Sequence, residues 1–252
     1  MLRLFPPVVL VAALTAALAA LAGAGSVVAA PAEPLRVLFV GNSLTSTNDL
    51  PAAVSALARS GGRKLETGTV VSDGYSLEDH WNSSDASKEI LSGDWDVVVL
   101  QQGPSSLPES QAHLKLWAQR FTALARRAGA WVGLLTVWPE SYRRSALGAV
   151  IASYRKAAKA AGAELFPAGD AWRRAWACDR SLALYGPDGF HPSRLGTYLA
   201  ALVVYGRLFK SPLLSPGLRP DGVSPRTART LQASAALSLG RRVPATRRCG
   251  EA

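Results

Sequence analysis

The sequence predicts an α/β protein, a three-layer α/β/α sandwich with a mostly parallel sheet. Short apolar runs, typical of strands buried on both faces, alternate with helical patterns of ten or more residues. The first run, Val37–Val40, is broken by Gly41-Asn42, and Ser43 follows just past the strand end, where open α/β sheets place their ligands. The 252 residues are enough for one such domain with a sizeable core.

Residues 1–32 have the pattern of a secretory signal peptide. Met1-Leu2-Arg3 gives a positive start, Val8–Leu21 is almost wholly Val, Ala and Leu, and Ala30-Pro31-Ala32 fits an A-x-A cleavage site. An uncleaved membrane anchor is the alternative, because the apolar stretch is long enough to span a bilayer. The cleavage pattern favours a mature chain that is secreted or periplasmic.

The elements after the first strand follow from apolar periodicity and from the residues that begin and end helices. Asn48 or Asp49 as a cap and Pro51 in the first turn predict a helix ending at Gly61-Gly62. The run Val97–Leu100 makes the third strand the clearest of all. This third strand is predicted over 95–100, and further strands are predicted over 65–71, 131–137 and 164–166. Helices are predicted over 108–128, 141–161, 170–176 and 193–209, with a short helical piece that contains Leu77 and Trp81. A turn over 72–76 and loops over 101–106 and 184–192 connect these elements.

The predicted domain covers residues 33–210, and residues 211–252 form a basic C-terminal appendage. This appendage is rich in proline and contains one weak helical pattern over 226–239. It contributes much of the formal charge of +10, yet no aromatic residue follows Phe209 to stack on single-stranded bases. Nucleic acid is therefore not an expected partner.

The two cysteines, Cys178 and Cys249, either pair in an oxidising compartment or remain free thiols. Neither lies in a CxxC or Cys/His spacing, so we expect no zinc site and no other metal.

The candidate nucleophile is Ser43, because a strand-to-helix turn presents its hydroxyl. A plain turn is the alternative, since Gly, Asn and Ser are all common turn residues. A hydroxyl nucleophile needs a base. Of the three histidines, His113 fits an amphipathic helix surface, and packing or capping accounts for His80. His191 lies in a loop rich in Gly and Pro, three residues after Asp188, which is close enough to orient the imidazole.

These two signals together resemble the SGNH (GDSL-type) hydrolase superfamily. Residues 41–45, Gly-Asn-Ser-Leu-Thr, are similar to its first block, with Asn42 where the family usually has Asp. Residues 188–192, Asp-Gly-Phe-His-Pro, match its last block, Asp-x-x-His-Pro. The resemblance covers about residues 35–209 and implies a flavodoxin-like sandwich.

By this resemblance Ser43 is the nucleophile, His191 is the general base and then the general acid, and Asp188 orients the imidazole. Gly74 falls where the second block has a glycine. The backbone N–H groups of Ser43 and Gly74 are then the expected oxyanion donors.

The third block departs from the family's Gly-x-Asn-Asp, because residues 101–106 read Gln-Gln-Gly-Pro-Ser-Ser. This pattern resembles that of some carbohydrate-esterase branches. If Gly103 aligns with the family glycine, Ser105 takes the place of the asparagine; alternatively a glutamine amide supplies the third donor. Gln102 is favoured over Gln101, and only one of them should reach the site, because successive strand residues point to opposite faces.

The predicted function is a secreted serine esterase that removes an O-acetyl or other short acyl group from a carbohydrate or small molecule. Trp138 and Tyr75 are predicted to line the substrate site, although core packing is an ordinary role for such rings. No cofactor is expected, and no membrane insertion is expected after signal cleavage. The alternatives are an acyltransferase with the same triad and a non-catalytic glycan-binding module; without the resemblance, a flavodoxin-like ligand-binding domain would remain. The oligomeric state is not predicted.

Overall fold

The computed structural model describes Met1, residues 33–247 and Cys249. The chain divides into two units, residues 1–32 and residues 33–252, and every element given below belongs to the second. Apart from Met1, the predicted signal peptide lies outside the described residues and stays a prediction. The helices found in the described part of the chain are too short or too polar to cross a bilayer.

A five-stranded sheet forms the centre of the second unit, and every neighbouring pair of strands is parallel. The spatial order is β2-β1-β3-β4-β5. The strands are β1 (Leu35–Gly41), β2 (Leu65–Val71), β3 (Val97–Leu100), β4 (Trp131–Leu135) and β5 (Glu164–Phe166). This arrangement confirms the predicted α/β class with its parallel sheet.

Nine α-helices accompany the sheet in the described residues. They are α1 (Ser43–Ser46), α2 (Leu50–Ser60), α3 (Leu77–Ser83), α4 (Ala86–Ser92), α5 (Pro108–Arg127), α6 (Leu147–Ala161), α7 (Ala168–Cys178), α8 (Arg194–Phe209) and α9 (Pro225–Ser238). The chain steps from β1 to β2 in one direction and from β2 to β3, β4 and β5 in the other. Right-handed crossovers therefore place α2 on one face of the sheet and α3 to α6 on the opposite face. Helices α7 and α8 pack together, α8 also packs on α2, and the resulting layers match the predicted sandwich.

The strand register brings three separate loops to one edge of the sheet. Gly41 is level with Val71, and Val40 is level with Leu100. The loops that follow β1, β2 and β3 therefore start side by side. These loops carry the predicted nucleophile, the predicted glycine donor and the two glutamines.

Several elements differ from those the sequence predicts. Helices α1 and α4 are additional, because the periodicity of such short segments is weak. The predicted helix over 141–161 is divided into a 3₁₀ segment, Ser141–Ala146, and α6, with a non-helical Arg143 at φ −106°.

Of the two predicted caps of α2, Asp49 is the one observed, and its carboxylate accepts from Ala52 N–H at 3.0 Å.

The C-terminal segment lies in the same unit as the sheet. Helix α9 packs on α7 and α8. A disulfide joins Cys178 at the end of α7 to Cys249, so the pairing left open by the sequence is present. The Arg241 guanidinium donates to the carbonyls of Gly206 and Ser211 near the end of α8. These contacts attach the basic segment to the domain.

Candidate active site

Ser43 begins α1 directly after the carboxyl end of β1. Asn42 caps this helix, because its side-chain oxygen accepts from Leu44 N–H at 3.1 Å. The first N–H groups of a helix have no partner within that helix. The Ser43 N–H is therefore of the kind that can donate to a bound oxygen, next to the hydroxyl of the same residue.

The structure brings Ser43, His191 and Asp188 together in one chain of hydrogen bonds. His191 Nε2 lies 2.9 Å from Ser43 Oγ, and His191 Nδ1 lies 2.5 Å from Asp188 Oδ2. An ionised carboxylate only accepts, so Nδ1 carries the proton and Nε2 is left to accept from the serine hydroxyl. This is the arrangement that a general base for Ser43 requires.

Asp188 is held as a carboxylate by its neighbours. Its Oδ1 atom accepts from the backbone N–H groups of Phe190 and His191, each at 3.0 Å. The side-chain hydrogen bond from His191, together with these N–H groups, lowers the pKa of Asp188 below its usual value. The group therefore remains charged and can stabilise an imidazolium.

Two neighbouring segments fix the loop that carries Asp188 and His191. Ser141 N–H donates to the Gly189 carbonyl at 2.7 Å, and Gly189 itself has φ +70°. On the other side, the Asn48 side chain donates to the Pro192 carbonyl at 2.8 Å. Asn48 lies five residues after Ser43, so this bond links the segment that follows Ser43 to the loop that carries His191.

Trp138 differs from its predicted role as a wall of the substrate site. It is 2% exposed, and its ring stacks on Trp172 with 3.5 Å between centroids. Its Nε1–H donates to the Phe190 carbonyl at 3.0 Å, so the buried ring stabilises the loop that carries Asp188 and His191. Tyr75 is half-buried and stays a candidate for substrate contact.

The Gln101 side chain supports the turn over residues 41–45, which carries Ser43. Its Oε1 atom accepts from Asn42 N–H at 3.0 Å and from the Thr45 hydroxyl at 2.8 Å, while its Nε2 donates to Asn42 Oδ1 at 2.9 Å. Asn42 Nδ2 in turn donates to the Tyr75 carbonyl at 2.9 Å. An amide at position 42 can make all of these bonds, whereas a carboxylate could not donate the last one.

Gln102 points elsewhere, as alternation along a strand predicts. Its Nε2 donates to Ser105 Oγ at 3.0 Å, and its Oε1 accepts from Leu77 N–H at 3.3 Å. The Gln102 and Ser105 side chains thus meet each other beside α3. Which of them, or Gln101, supplies a third oxyanion donor stays a prediction.

Gly74 lies in an exposed turn that is hydrogen-bonded to the end of β1. Ser72 N–H donates to the Gly41 carbonyl at 3.2 Å. The φ of Gly74 is +74°, a conformation that favours glycine. Its N–H makes no hydrogen bond to another residue of the described chain, which leaves it available as an oxyanion donor.

An open cleft of about 730 Å³ borders the triad on the His191 side. His191 and Asp188 keep 32% and 51% of their side-chain surface exposed, so small molecules reach them from solvent. The residues that line this cleft are Thr47, Asn48, Tyr185, Gly186, Pro187, Asp188, His191, Pro192, Ser193 and Arg194.

Among the described residues, no group of three or more His, Cys, Asp or Glu is placed to hold a metal ion.

Gly41→Ala is expected to disturb the turn over residues 41–45, which carries Ser43. A Cβ atom at this position would lie 2.5 Å from Gln101 Oε1 and 2.8 Å from Thr45 Oγ1. Such overpacking costs about 1–3 kcal/mol, and relief requires displacement of Gln101, which holds Asn42. We expect a lower thermal unfolding midpoint, together with a lower kcat in an ester-hydrolysis assay. Gly148→Ala is the matched control, because a Cβ there meets no atom within 4 Å; equal behaviour of the two variants would contradict the prediction.

A Ser–His–Asp hydrogen-bonded chain at the carboxyl edge of a parallel sheet is the arrangement found in serine hydrolases of the α/β class. At the level of sequence, no family model and no curated protein matches the chain. Solved structures do match it. A candidate SGNH hydrolase from Slackia heliotrinireducens is 26% identical with a TM-score of 0.60, covering 70% of this chain and 100% of its own.

Two further structures match at lower identity. A DUF4886 family protein from Bacteroides uniformis is 18% identical with a TM-score of 0.70, over 84% of this chain and 97% of its own. An acetyl xylan esterase is 15% identical with a TM-score of 0.57, over 69% of this chain and 100% of its own.

The chain shares its fold with this SGNH hydrolase, which confirms the resemblance to the SGNH/GDSL superfamily found in the sequence. The same similarity confirms the predicted enzyme class, a hydrolase.

Proposed function

We propose that the chain is an exported serine esterase that removes an O-acetyl or other short acyl group from a carbohydrate or small molecule through an acyl-enzyme on Ser43. The observation that carries this proposal is the unbroken series of hydrogen bonds from the Ser43 hydroxyl through His191 to Asp188. A neutral imidazole with its free nitrogen 2.9 Å from a serine hydroxyl is poised to accept that proton.

In the first half of the reaction, His191 Nε2 takes the Ser43 proton as Oγ attacks the ester carbonyl. The imidazolium, stabilised by the Asp188 carboxylate, then protonates the leaving alcohol, and the acyl group stays on Oγ. In the second half, His191 takes a proton from water as the water oxygen attacks the acyl carbon. The bond between that carbon and Oγ then breaks, His191 returns the proton to Oγ, and the acid leaves.

The tetrahedral intermediates place a negative charge on the former carbonyl oxygen. The N–H groups of Ser43 and Gly74 are the proposed donors to it, and a donor of this kind contributes about 3 kcal/mol to the transition state. The absence of a Cβ at Gly74, in an exposed turn, also lets the substrate approach the backbone closely.

Two features support an extracellular or envelope substrate that carries the acyl group on a larger molecule. The cleft beside His191 is open, which suits an acyl group carried on a larger molecule. The Cys178–Cys249 disulfide fits an oxidising compartment, in agreement with the predicted signal peptide. A neighbour in the fold, the acetyl xylan esterase, gives the O-acetyl carbohydrate as the first substrate class to test.

The test is the intact mass of the protein after reaction with a fluorophosphonate, beside a Ser43→Ala variant. We expect one adduct on the wild-type protein and none on Ser43→Ala, because only an activated serine reacts. This test requires no knowledge of the substrate. Folded wild-type protein without an adduct would contradict the proposal and would direct attention to glycan binding without turnover.

A further inference from the structure

His80 is a fully buried histidine directly beneath the proposed active site. It lies in the last turn of α3 and has no exposed surface. Its Nε2 atom is 2.7 Å from the carbonyl oxygen of Gly41, and its Nδ1 atom is 3.1 Å from Ser84 Oγ. Because a carbonyl only accepts, Nε2 carries a proton and donates it to Gly41.

The Gly41 carbonyl connects two turns. One is the turn over residues 41–45 that carries Ser43, called here the nucleophile turn, and the other is the turn over residues 72–76 that contains Gly74, called here the glycine turn. Besides the His80 imidazole, the Gly41 carbonyl accepts the N–H of Ser72, which begins the glycine turn. Gly41 lies two residues before Ser43. One carbonyl thus joins the segments that carry the proposed nucleophile and the proposed glycine donor, and His80 donates to that carbonyl at 2.7 Å.

Helix α3 is itself anchored at both ends, which makes His80 a rigid support. Ser76 and Asp79 form a capping box at its start, and Leu77 N–H donates to Gln102 beyond β3. Trp81, next to His80, packs edge-on against Phe121 of α5 with 5.2 Å between ring centroids.

His80 is not placed to exchange protons with a substrate. Burial lowers its pKa, with the Gly41 hydrogen bond and the Asp79 charge acting in the opposite direction. The ring is therefore held neutral, with its proton on Nε2, and solvent does not reach it. Its contribution has to come through the position of Gly41.

We propose that His80 is a positioning residue, which sets the placement of Ser43 relative to the Gly74 N–H by holding the Gly41 carbonyl. This inference rests on the proposed esterase function. If the carbonyl loses the imidazole donor, the nucleophile turn can shift against the glycine turn. A shift of about 1 Å between reacting groups costs about 100-fold in rate without a comparable loss of binding.

The test compares four variants with the wild-type protein in p-nitrophenyl acetate hydrolysis and in the rate of fluorophosphonate labelling. His80→Met fills the space without a donor. His80→Gln and His80→Asn are both amides, but only the longer Gln places its nitrogen where Nε2 lies. His113→Gln is the matched control, since His113 pairs with Glu78 at the surface of α5 and takes no part in the site.

We expect His80→Met and His80→Asn to lower kcat at least tenfold with KM changed less than about twofold, and to slow labelling equally. His80→Gln should retain most of the activity, and His113→Gln should match the wild type. Thermal unfolding midpoints identify variants that are folded at the assay temperature. If His80→Met does not fold, the comparison of Gln with Asn still decides the question, because both carry a buried amide.

Two outcomes are separable. Wild-type protein that neither labels nor hydrolyses the ester would contradict the esterase function itself. Wild-type protein that labels normally, together with folded His80→Met or His80→Asn variants at wild-type kcat, or equal losses in Gln and Asn, would overturn the positioning role alone.

Discussion

His191→Ala is expected to lower kcat for ester hydrolysis by about 10⁴-fold or more, with little change in the thermal unfolding midpoint. Among the described residues, His191 supplies the side-chain nitrogen that is hydrogen-bonded to the Ser43 hydroxyl, so its removal takes away the proposed proton acceptor. Single removals of a triad member have effects of this order. The side chain is 32% exposed, so truncation leaves a solvent-filled gap instead of a core cavity. Steady-state kinetics with p-nitrophenyl acetate measures the loss.

The same partial exposure allows a rescue experiment. Free imidazole can enter the gap left by His191→Ala and accept the Ser43 proton, so activity should rise with imidazole concentration. His113→Ala, a histidine of similar exposure on α5, is the control and should keep wild-type kcat with no response to imidazole. A His191→Ala variant within tenfold of the wild type would show that another group acts as the base.

Removal of the disulfide is expected to lower the free energy of unfolding by about 4 kcal/mol. Cys178 and Cys249 are 71 residues apart in sequence, and a cross-link that closes a loop of this length strongly restricts the unfolded chain. For a domain of this size the loss corresponds to a fall of about 10 °C in the unfolding midpoint. Calorimetry of Cys178→Ser/Cys249→Ser beside the wild-type protein gives the value.

Reduction of the wild-type protein provides an independent check. The reduced wild type should unfold at the midpoint of the double variant, and reductant should leave the double variant unchanged. Arg241 still donates to the Gly206 and Ser211 carbonyls in both, so we expect the C-terminal segment to remain attached at low temperature. An identical midpoint with and without the disulfide would contradict the prediction.

Local pattern accounts for the parts of the fold that the sequence predicts well. The continuous apolar run Val97–Leu100 has to be buried on both sides, which requires a parallel sheet covered by helices. Capping residues such as Asp49 mark helix starts through bonds to their own neighbours. Short helices such as α1 and α4 are not predicted by this reasoning, because one or two turns are too short to show a period.

The roles of the two glutamines depend on residues far away in the chain. Both glutamines follow the same strand, and sequence reasoning favours Gln102 as the one that reaches the site. The structure shows Gln101 bonded to Asn42 and Gln102 bonded to Ser105. Residue type gives the hydrogen-bonding capacity of an amide, but the partner that uses it is set by the pairing of β1 with β3.

Burial decides the roles of Trp138 and His80 in the same way. A tryptophan at the end of a strand can face a substrate or the core, and stacking on Trp172 leaves Trp138 only 2% exposed. In the sequence, packing or capping accounts for His80, and nothing there points to Gly41. A histidine next to a glycine turn in sequence would have suggested such a contact, but 39 residues separate the two.

The α/β class, the parallel sheet and the residue types of the candidate site can be predicted from the amino-acid sequence, because periodicity and short motifs are local properties. Two contacts are visible only in the folded chain: Ser43 and His191, 148 residues apart, lie within hydrogen-bond distance, and His80 is hydrogen-bonded to Gly41. Distance, burial and hydrogen-bond partner are properties of pairs of residues, which local patterns do not contain. The folded sheet and its register bring such pairs together.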